Sequence, residues 1–228
     1  MTLPILISVP HGGLAVPVEL EPLCILTPEQ VAKDGDEGAA EIYDLSSEVS
    51  AFVGTDIARA IVDLNRAPDD FRADGVVKTH TCFEEPVYSE PLSSDRVEAL
   101  LARYYTPYHA RLREVAPRAQ IGIDCHTMLA VGPPIGPGAG ERRPRICLSN
   151  ADGTCPEDWF ESLGEHLRAE FGEVSLNDPF RGGYIIRHHA PELPWVQLEM
   201  SREPFASLGE KRARVIAALR NWSAAHLE

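Results

Sequence analysis

Apolar residues along the chain form short continuous runs that alternate with longer stretches of helical spacing. The first run, Leu3–Val9, is partly β-branched, and the proline and glycines that follow end it, which is typical of a buried strand. Further strands are predicted at residues 120–123, 145–148, 184–186 and 195–199, and helices at residues 94–112, 158–171 and 207–226. This alternation predicts an α/β fold, a three-layer sandwich with a mostly parallel mixed sheet.

Three segments are less regular. Residues 27–30, Thr-Pro-Glu-Gln, predict a helix start with a capping box, and apolar side chains at three- and four-residue spacing extend the helical pattern as far as residue 53. Residues 57–64 fit a helix and a strand equally well. Residues 131–140 are rich in proline and glycine, so we expect a mobile loop there.

Composition narrows the class of protein. The length of 228 residues and 44% hydrophobic content suit a single domain spanning 1–228. A formal charge of -14 disfavours nucleic acid and anionic membranes as partners, and no apolar run approaches the roughly 20 residues that span a bilayer. Five cysteines without a CxxC pair, and a start without signal-peptide features, predict a cytoplasmic chain with no disulfide framework.

Polar side chains follow the predicted strands. His11 comes after the first strand, Asp124 and His126 after a middle one, and Glu199 at the end of a late one. Because ligands bind beyond the carboxyl ends of parallel strands, these positions favour a site. Two histidines and a carboxylate form a catalytic zinc set, and a further carboxylate suits proton transfer from water. Hydrogen-bonded structural residues are the alternative, with acidic residues 34–37 as a helix N-terminus.

Short motifs extend this pattern over nearly the whole chain, in a fixed order. They lie at residues 8–13, 34–36 with 42–44, 63–66, 105–109, 124–127, 179–184, 187–188 and 197–200. Pro-His-Gly-Gly, Asp-Leu-Asn-Arg, Tyr-Thr-Pro-Tyr-His and Gln-Leu-Glu are among them. Together they resemble the motifs of the N-formylglutamate amidohydrolase family. The resemblance implies a zinc-dependent amidohydrolase with a zinc-carboxypeptidase-like fold.

The resemblance also implies a metal site. His11 and His126 are expected to bind one zinc ion per chain, although such a ligand set also holds iron, cobalt or manganese. Asp36 is the expected third ligand, because it aligns with the acid that precedes the family's helix. Glu37 and Asp34 remain alternatives, and spacing alone does not decide between Asp36 and Glu37.

Other residues receive roles around that metal. Glu199 is expected to be the general base, and Asp124 either accepts a hydrogen bond from a ligand imidazole or caps a turn. Asn65 and Arg66 are expected to hold a substrate carboxylate. For Arg66 the alternatives are stabilising the oxyanion and pairing with a nearby aspartate at the surface.

Further expectations are weaker. Gly182 and Gly183 either present backbone amides to the substrate or form a turn, and Arg187 and His188 are expected substrate contacts. A cluster of Arg66, Arg181 and Arg187 is expected to offset the acidic charge around an anionic substrate. In the Tyr-Thr-Pro-Tyr-His helix, His109 is expected to be structural and Pro107 to kink the helix.

The substrate follows from the resemblance as well. The expected reaction releases formate and L-glutamate from N-formyl-L-glutamate. The expected binding partner is this small-molecule substrate, and the expected oligomeric state is a monomer or a small homo-oligomer. The alternatives are a deacylase of another N-acyl amino acid, a carboxypeptidase-like amidase, and a non-catalytic metal- or small-acid-binding protein. Where the family often has an aromatic-histidine pair, this chain has Glu37-Gly38, which bears on substrate identity.

Overall fold

A six-stranded mixed sheet organises the chain in the computed structural model, which describes residues 2–227. The strand order is β2-β1-β3-β6-β4-β5, and every neighbouring pair is parallel except β4 with β6. The strands are β1 (Leu3–Val9), β2 (Val49–Gly54), β3 (Ile121–Met128), β4 (Ile146–Ser149), β5 (Val174–Leu176) and β6 (Trp195–Ser201). The predicted mostly parallel mixed sheet is confirmed.

Helices cover both faces of this sheet, as a three-layer sandwich requires. They are α1 (Pro28–Asp34), α2 (Ala39–Ile42), α3 (Ser94–Leu100), α4 (Thr106–Val115), α5 (Glu157–Phe171), α6 (Tyr184–His189) and α7 (Leu208–His226). One apolar core includes buried side chains of α2, α5 and α7, and a second includes those of α4 and α6. Within residues 2–227, no helix is long and apolar enough to cross a membrane.

Two strand and helix predictions are wrong. Residues 49–53 form β2 rather than a helix, because their side chains alternate between buried and partly buried positions and the strand pairs with β1. Residues 184–186 begin α6 rather than a strand. A tertiary contact favours the helix at this point, because the amide of Ile185 donates a hydrogen bond to the side-chain oxygen of Asn65, 2.7 Å away.

Two further predictions need adjustment. Residues 57–64, left open between helix and strand, form turns and isolated bridges instead. Asp124 and His126 lie within β3 rather than after it, because pairing with β6 continues as far as Met128 opposite Ser201. The capping box at Thr27 is confirmed.

The predicted helix at residues 94–112 is present but changes its winding. A π-helical segment, Leu101–Tyr105, joins α3 to α4 and ends two residues before Pro107. Proline has no amide hydrogen to donate, and a wider turn is one way for a helix to accommodate it. The helix then buries His109, whose Nε2 donates to the carbonyl oxygen of Leu64 (3.0 Å) and whose Nδ1 lies 2.9 Å from Nε2 of His189. The structural role expected for His109 is confirmed.

The buried His109 predicts a pH-dependent stability. Burial, helped by the neighbouring His189, lowers the pKa of His109 from its usual value near 6.5 to about 3. Between these two values the unfolded chain binds a proton that the folded chain does not, so the free energy of unfolding decreases as the pH falls. His109→Gln is expected to reduce this slope by up to about 1.4 kcal/mol per pH unit. Urea unfolding from pH 7 to pH 4 measures it, and an unchanged slope would contradict the assignment.

Candidate metal centre and active site

Three central strands bring the predicted site residues to one edge of the sheet. His11 lies two residues beyond the end of β1, while His126 of β3 and Glu199 of β6 are direct partners in the parallel register. Because directly paired residues of parallel strands point to the same face, the side chains of His126 and Glu199 lie side by side. The site therefore lies at the carboxyl ends of adjacent strands, as in other open α/β sheets.

His11, Asp36 and His126 direct one ligand atom each toward a common point. Nδ1 of His126 lies 3.2 Å from Nδ1 of His11 and 2.9 Å from Oδ2 of Asp36. Nδ1 of His11 lies 3.5 Å from the same carboxylate oxygen. Ligands at zinc-like bond lengths around a tetrahedral ion are separated by about 3.4 Å. The spacing of these three buried side chains therefore matches one metal ion.

The outer nitrogens of both imidazoles support this match. Nε2 of His11 lies 2.8 Å from Oδ1 of Asp63, and Nε2 of His126 lies 2.8 Å from Oδ2 of Asp124. A buried carboxylate accepts a hydrogen bond, so each Nε2 carries a hydrogen and the Nδ1 of each ring is directed inward. At these distances the two Nδ1 atoms and the carboxylate oxygen repel one another unless a proton or a metal cation lies between them. The donor set therefore fits zinc.

Asp36, rather than Glu37 or Asp34, is the acid that reaches this point. Glu37 is exposed, and Asp34 binds the buried ammonium of Lys78 at 2.8 Å and the amide of Cys82 at 2.8 Å. Asp36 accepts a hydrogen bond from the amide of Thr127 (3.2 Å), and its other oxygen lies 3.6 Å from Arg202. These contacts fix the orientation of the Asp36 carboxylate toward the histidines.

The electrostatics of the site favour positive charge at the same point. Burial alone would lower the pKa of His126, but Asp124 and Glu199 outweigh it and raise this pKa well above its usual value. Burial alone would raise the pKa of Asp36, but His11 and His126 hold it well below its usual range. A divalent cation on the Nδ1 atoms would balance these carboxylates in place of a proton.

Asp63 is the site residue whose role sequence reasoning missed. It opens the Asp-Leu-Asn-Arg motif, in which roles are expected only for Asn65 and Arg66. In the structure it is fully buried, and its Oδ1 faces His11 while its Oδ2 accepts a hydrogen bond from Arg59 at 3.0 Å. Burial would raise the pKa of Asp63, and the charges of His11 and Arg59 lower it instead. The separation of 52 residues between Asp63 and His11 hid this contact from any local pattern.

Glu199 is held beside the three converging side chains. It is 7% exposed, and burial, reinforced by Asp36 and opposed by His126, raises its pKa. The side-chain amide of Gln197 donates to Oε1 of Glu199 (2.9 Å), and Oε1 of Gln197 accepts from the backbone amide of Gly183 at 2.6 Å. A raised carboxyl pKa and a fixed orientation are the properties of a general base.

Asn65 and the two glycines make contacts within the protein. The Asn65 side chain donates to Asp124 (3.1 Å) and accepts from the amide of Ile185, and a Cβ at Gly183 would lie 2.3 Å from its nitrogen. Gly182 adopts a φ of 89°, which favours glycine. The amide of Gly183 is used by Gln197. All of these residues except Asp124 and Ile185 line the cavity, where their expected roles in substrate binding stay predictions.

A cavity of about 260 Å³ opens from the converging ligands to the surface. Seven basic side chains line it against four acidic ones, although the whole chain carries a formal charge of -14. Arg66 lines the cavity, where its guanidinium lies 3.5 Å from Asp74 and 4.0 Å from the buried Asp63. The pairing with a nearby aspartate that the sequence offered as an alternative is therefore present, at the cavity wall. Arg181 also lines it. The net charge of the cavity lining is therefore opposite to that of the chain.

Arg187 and His188 lie away from this cavity lining. Both are exposed, the guanidinium of Arg187 donates to the carbonyl oxygen of Arg181 (2.9 Å), and the ring of His188 stacks on Tyr184 at a centroid distance of 4.9 Å. Both residues belong to α6, whose first residues replace the strand expected at residues 184–186. The expected three-arginine cluster is thus reduced to Arg66 and Arg181, and contacts of Arg187 and His188 with the substrate stay predictions.

Comparison with known proteins identifies relatives of this chain. Residues 3–206 match the family model described as N-formylglutamate amidohydrolase. An N-formylglutamate deformylase of Pseudomonas putida is 28% identical over 225 residues, covering 89% of this chain and 82% of the relative.

Two solved structures share the fold. The crystal structure of an N-formylglutamate amidohydrolase from Ralstonia eutropha has a TM-score of 0.79 at 21% identity, covering 98% of this chain and 94% of that chain. A gene product of Agrobacterium tumefaciens has a TM-score of 0.78 at 18% identity, covering 99% and 92%. These likenesses extend over nearly the whole of each chain.

The Asp63–His11 hydrogen bond predicts the effect of one substitution on metal affinity. Asp63→Asn keeps the shape of the side chain but removes the charge that orients the imidazole and makes it more basic, so zinc affinity is expected to fall about 10- to 100-fold. Competition with a chromogenic chelator measures this affinity. Asp70→Asn, which alters a carboxylate paired with the exposed Arg72, is the matched control. Equal zinc affinity of Asp63→Asn and the unsubstituted chain would contradict the role of Asp63.

Proposed function

This chain belongs to the N-formylglutamate amidohydrolase family, and we propose that it hydrolyses N-formyl-L-glutamate to formate and L-glutamate. The observation that carries the proposal is the convergence of His11, Asp36 and His126 beside the buried Glu199, at the floor of a basic cavity. A metal-binding set with an adjacent unligated carboxylate is the arrangement that amide hydrolysis needs.

His11, Asp36 and His126 would hold one zinc ion through two Nδ1 atoms and Oδ2. When bound, zinc lowers the pKa of a coordinated water to about 7 and polarises the acyl carbonyl. The protein contributes the orientation of its ligands, since Asp63 and Asp124 fix both imidazoles in the tautomer with a free Nδ1. No rotation of either ring is needed to present these atoms, which makes the site preorganised.

Glu199 is the general base in this proposal. Gln197 holds its Oε1, so we assign the proton transfer from water to Oε2. A carboxylate whose pKa is raised by burial accepts the proton of the attacking water more readily, and the protonated Glu199 then passes it to the more basic leaving amine nitrogen. The formate product leaves as an anion and the amine of glutamate as the protonated form.

The cavity charge supports an anionic substrate. N-formyl-L-glutamate carries two carboxylates, and the long-range field of a chain with a formal net charge of -14 would repel it. The basic lining reverses that field locally, and Arg66 is the residue that we propose for contact with a substrate carboxylate through its planar guanidinium. The neighbouring Asn65 is held at the cavity wall by its hydrogen bonds to Asp124 and to the amide of Ile185 at the start of α6.

Two other functions remain as rivals. A deacylase of another N-acyl amino acid, or a carboxypeptidase-like amidase, would use the same metal ligands and the same Glu199, but its cavity would accept a different acyl group. A non-catalytic binder of metal or small acids would keep the ligands, but it has no need for the buried Glu199 whose raised pKa suits a proton acceptor. The amidohydrolase proposal accounts for the ligands, the base and the cavity charge together.

Turnover on a panel of substrates tests the proposal. The zinc-loaded protein is expected to release formate from N-formyl-L-glutamate with a kcat/KM at least about tenfold above that for the N-acetyl and N-succinyl derivatives, because one or more added methylene groups must fit the same acyl position. Formate and glutamate release are measured separately. A preference for another acyl group would favour the deacylase rival, and zinc binding without hydrolysis of any member would favour the binder.

Substitution of the general base separates chemistry from metal binding. Glu199→Gln keeps the size of the side chain but accepts no proton, so kcat is expected to fall about 10²- to 10⁴-fold while zinc content is retained. Glu203→Gln, a change of a half-buried side chain just beyond β6, is the matched control. Metal analysis and steady-state kinetics on both variants measure the effect. Normal turnover of Glu199→Gln would refute the assigned role.

A further inference from the structure

The seven basic side chains that line the cavity differ in whether a carboxylate of the protein neutralises them. Five of the seven lie within 4.0 Å of a carboxylate: Arg59, Arg66, Lys78, Arg181 and Arg202. Lys33 is exposed, and its ammonium lies 3.7 Å from the centroid of the Phe83 ring. Arg143 is the remaining one, and among residues 2–227 no carboxylate lies within 4.0 Å of its guanidinium.

Arg143 is nevertheless buried, with 5% of its surface exposed. Its Nη2 donates to the carbonyl oxygen of Pro137 at 2.7 Å, and its guanidinium carbon lies 4.8 Å from the centroid of the Phe180 ring. Its Nε is buried without any hydrogen-bond partner in the described structure. Leaving a buried charged donor unpaired is costly, so such groups in native proteins call for an explanation.

The position of Arg143 makes an anionic ligand that explanation. Its backbone is fixed before β4 by the hydrogen bond from its amide to the carbonyl oxygen of Ala130 (2.8 Å), and its side chain lines the same cavity as Glu199. Burial lowers the pKa of its guanidinium, and the charge of Glu199 opposes that effect. A guanidinium remains charged under these conditions and presents several N–H donors in a planar fork that matches a carboxylate.

We propose that Arg143 binds a carboxylate of the substrate, as a second anion subsite beside that of Arg66. This inference rests on the proposed function and adds to it the selection of dicarboxylic N-acyl amino acids. Arg66 shares its charge with Asp74, whereas Arg143 has no such competitor and gains its carboxylate partner only from the ligand. A substrate with one carboxylate would leave one of the two subsites unpaired.

Kinetics on three substrates test the subsite. N-formyl-L-glutamate is compared with its two monoamides, N-formyl-L-glutamine and N-formyl-L-isoglutamine, in the unsubstituted chain and in Arg143→Met. Loss of a charge-assisted hydrogen bond is expected to lower kcat/KM for the diacid about 10- to 100-fold in this variant. The monoamide that lacks the bound carboxylate is expected to be hydrolysed almost equally by both proteins. An equal loss on all three substrates, or no loss, would overturn the inference.

Arg145→Met is the matched control. Arg145 lies two residues on, packs 5.0 Å from the Phe205 ring centroid and donates to the carbonyl oxygen of Phe171, but it does not line the cavity. Its loss is expected to leave all three kcat/KM values unchanged. Arg143→Lys keeps the charge without the planar guanidinium. Its kcat/KM for N-formyl-L-glutamate is expected to lie between the values of Arg143→Met and Arg145→Met.

A binding measurement keeps the inference separate from the proposed reaction. Calorimetric titration of the zinc-loaded protein with glutarate, a dicarboxylate without an amide, requires no turnover. Affinity is expected to be about 10- to 100-fold lower in Arg143→Met than in the unsubstituted chain or Arg145→Met. If no N-acyl amino acid is hydrolysed but this difference appears, the proposed function fails and the subsite stands. Equal glutarate affinity in all three proteins would overturn the subsite.

Discussion

Two buried hydrogen bonds between carboxylates and imidazoles are the interactions on which the site depends. Asp63 holds Nε2 of His11 and Asp124 holds Nε2 of His126, each at 2.8 Å. Both rings are thereby fixed with Nδ1 directed at Asp36, and rotation of either ring would break a hydrogen bond to a buried charge. The two facing Nδ1 atoms and the Asp36 carboxylate form a donor set whose mutual repulsion a bound cation would relieve.

The same carboxylates connect the site to the fold. Asp124 also accepts hydrogen bonds from Ser8 (2.7 Å) and Asn65 (3.1 Å), and Asn65 in turn accepts the amide of Ile185 at the start of α6. Asp63 holds Arg59 as well as His11. Displacement of the loop at residues 63–66 would therefore disturb a metal ligand, a helix start and the cavity wall together. The Asp-Leu-Asn-Arg segment is therefore a structural element of the fold as well as part of the cavity wall.

The charges around the site are separated by sign, although the chain as a whole is acidic. Around the converging ligands the buried carboxylates favour a cation, while the wall of the cavity is basic. Most of the basic side chains are neutralised by an acidic neighbour within the protein, which limits the cost of burying them. Arg143 is the exception that an anionic ligand would complete, and its position on the approach to β4 places it opposite the loop at residues 133–137.

The sequence by itself determined the alternating α/β order, the mostly parallel sheet and the identities of His11, His126 and Glu199, because apolar periodicity and residues near strand ends are local features. It did not determine β2 or α6. The strand at residues 49–54 is selected by pairing with β1, and the helix at residues 184–189 begins where Asn65 accepts the amide of Ile185. Tertiary structure also brought Asp36 rather than Glu37 to the two histidines, and it alone showed the contact of Asp63 with His11 and the unpaired Nε of Arg143. These features arise from burial and from contacts between distant segments, which no periodic pattern in the sequence records.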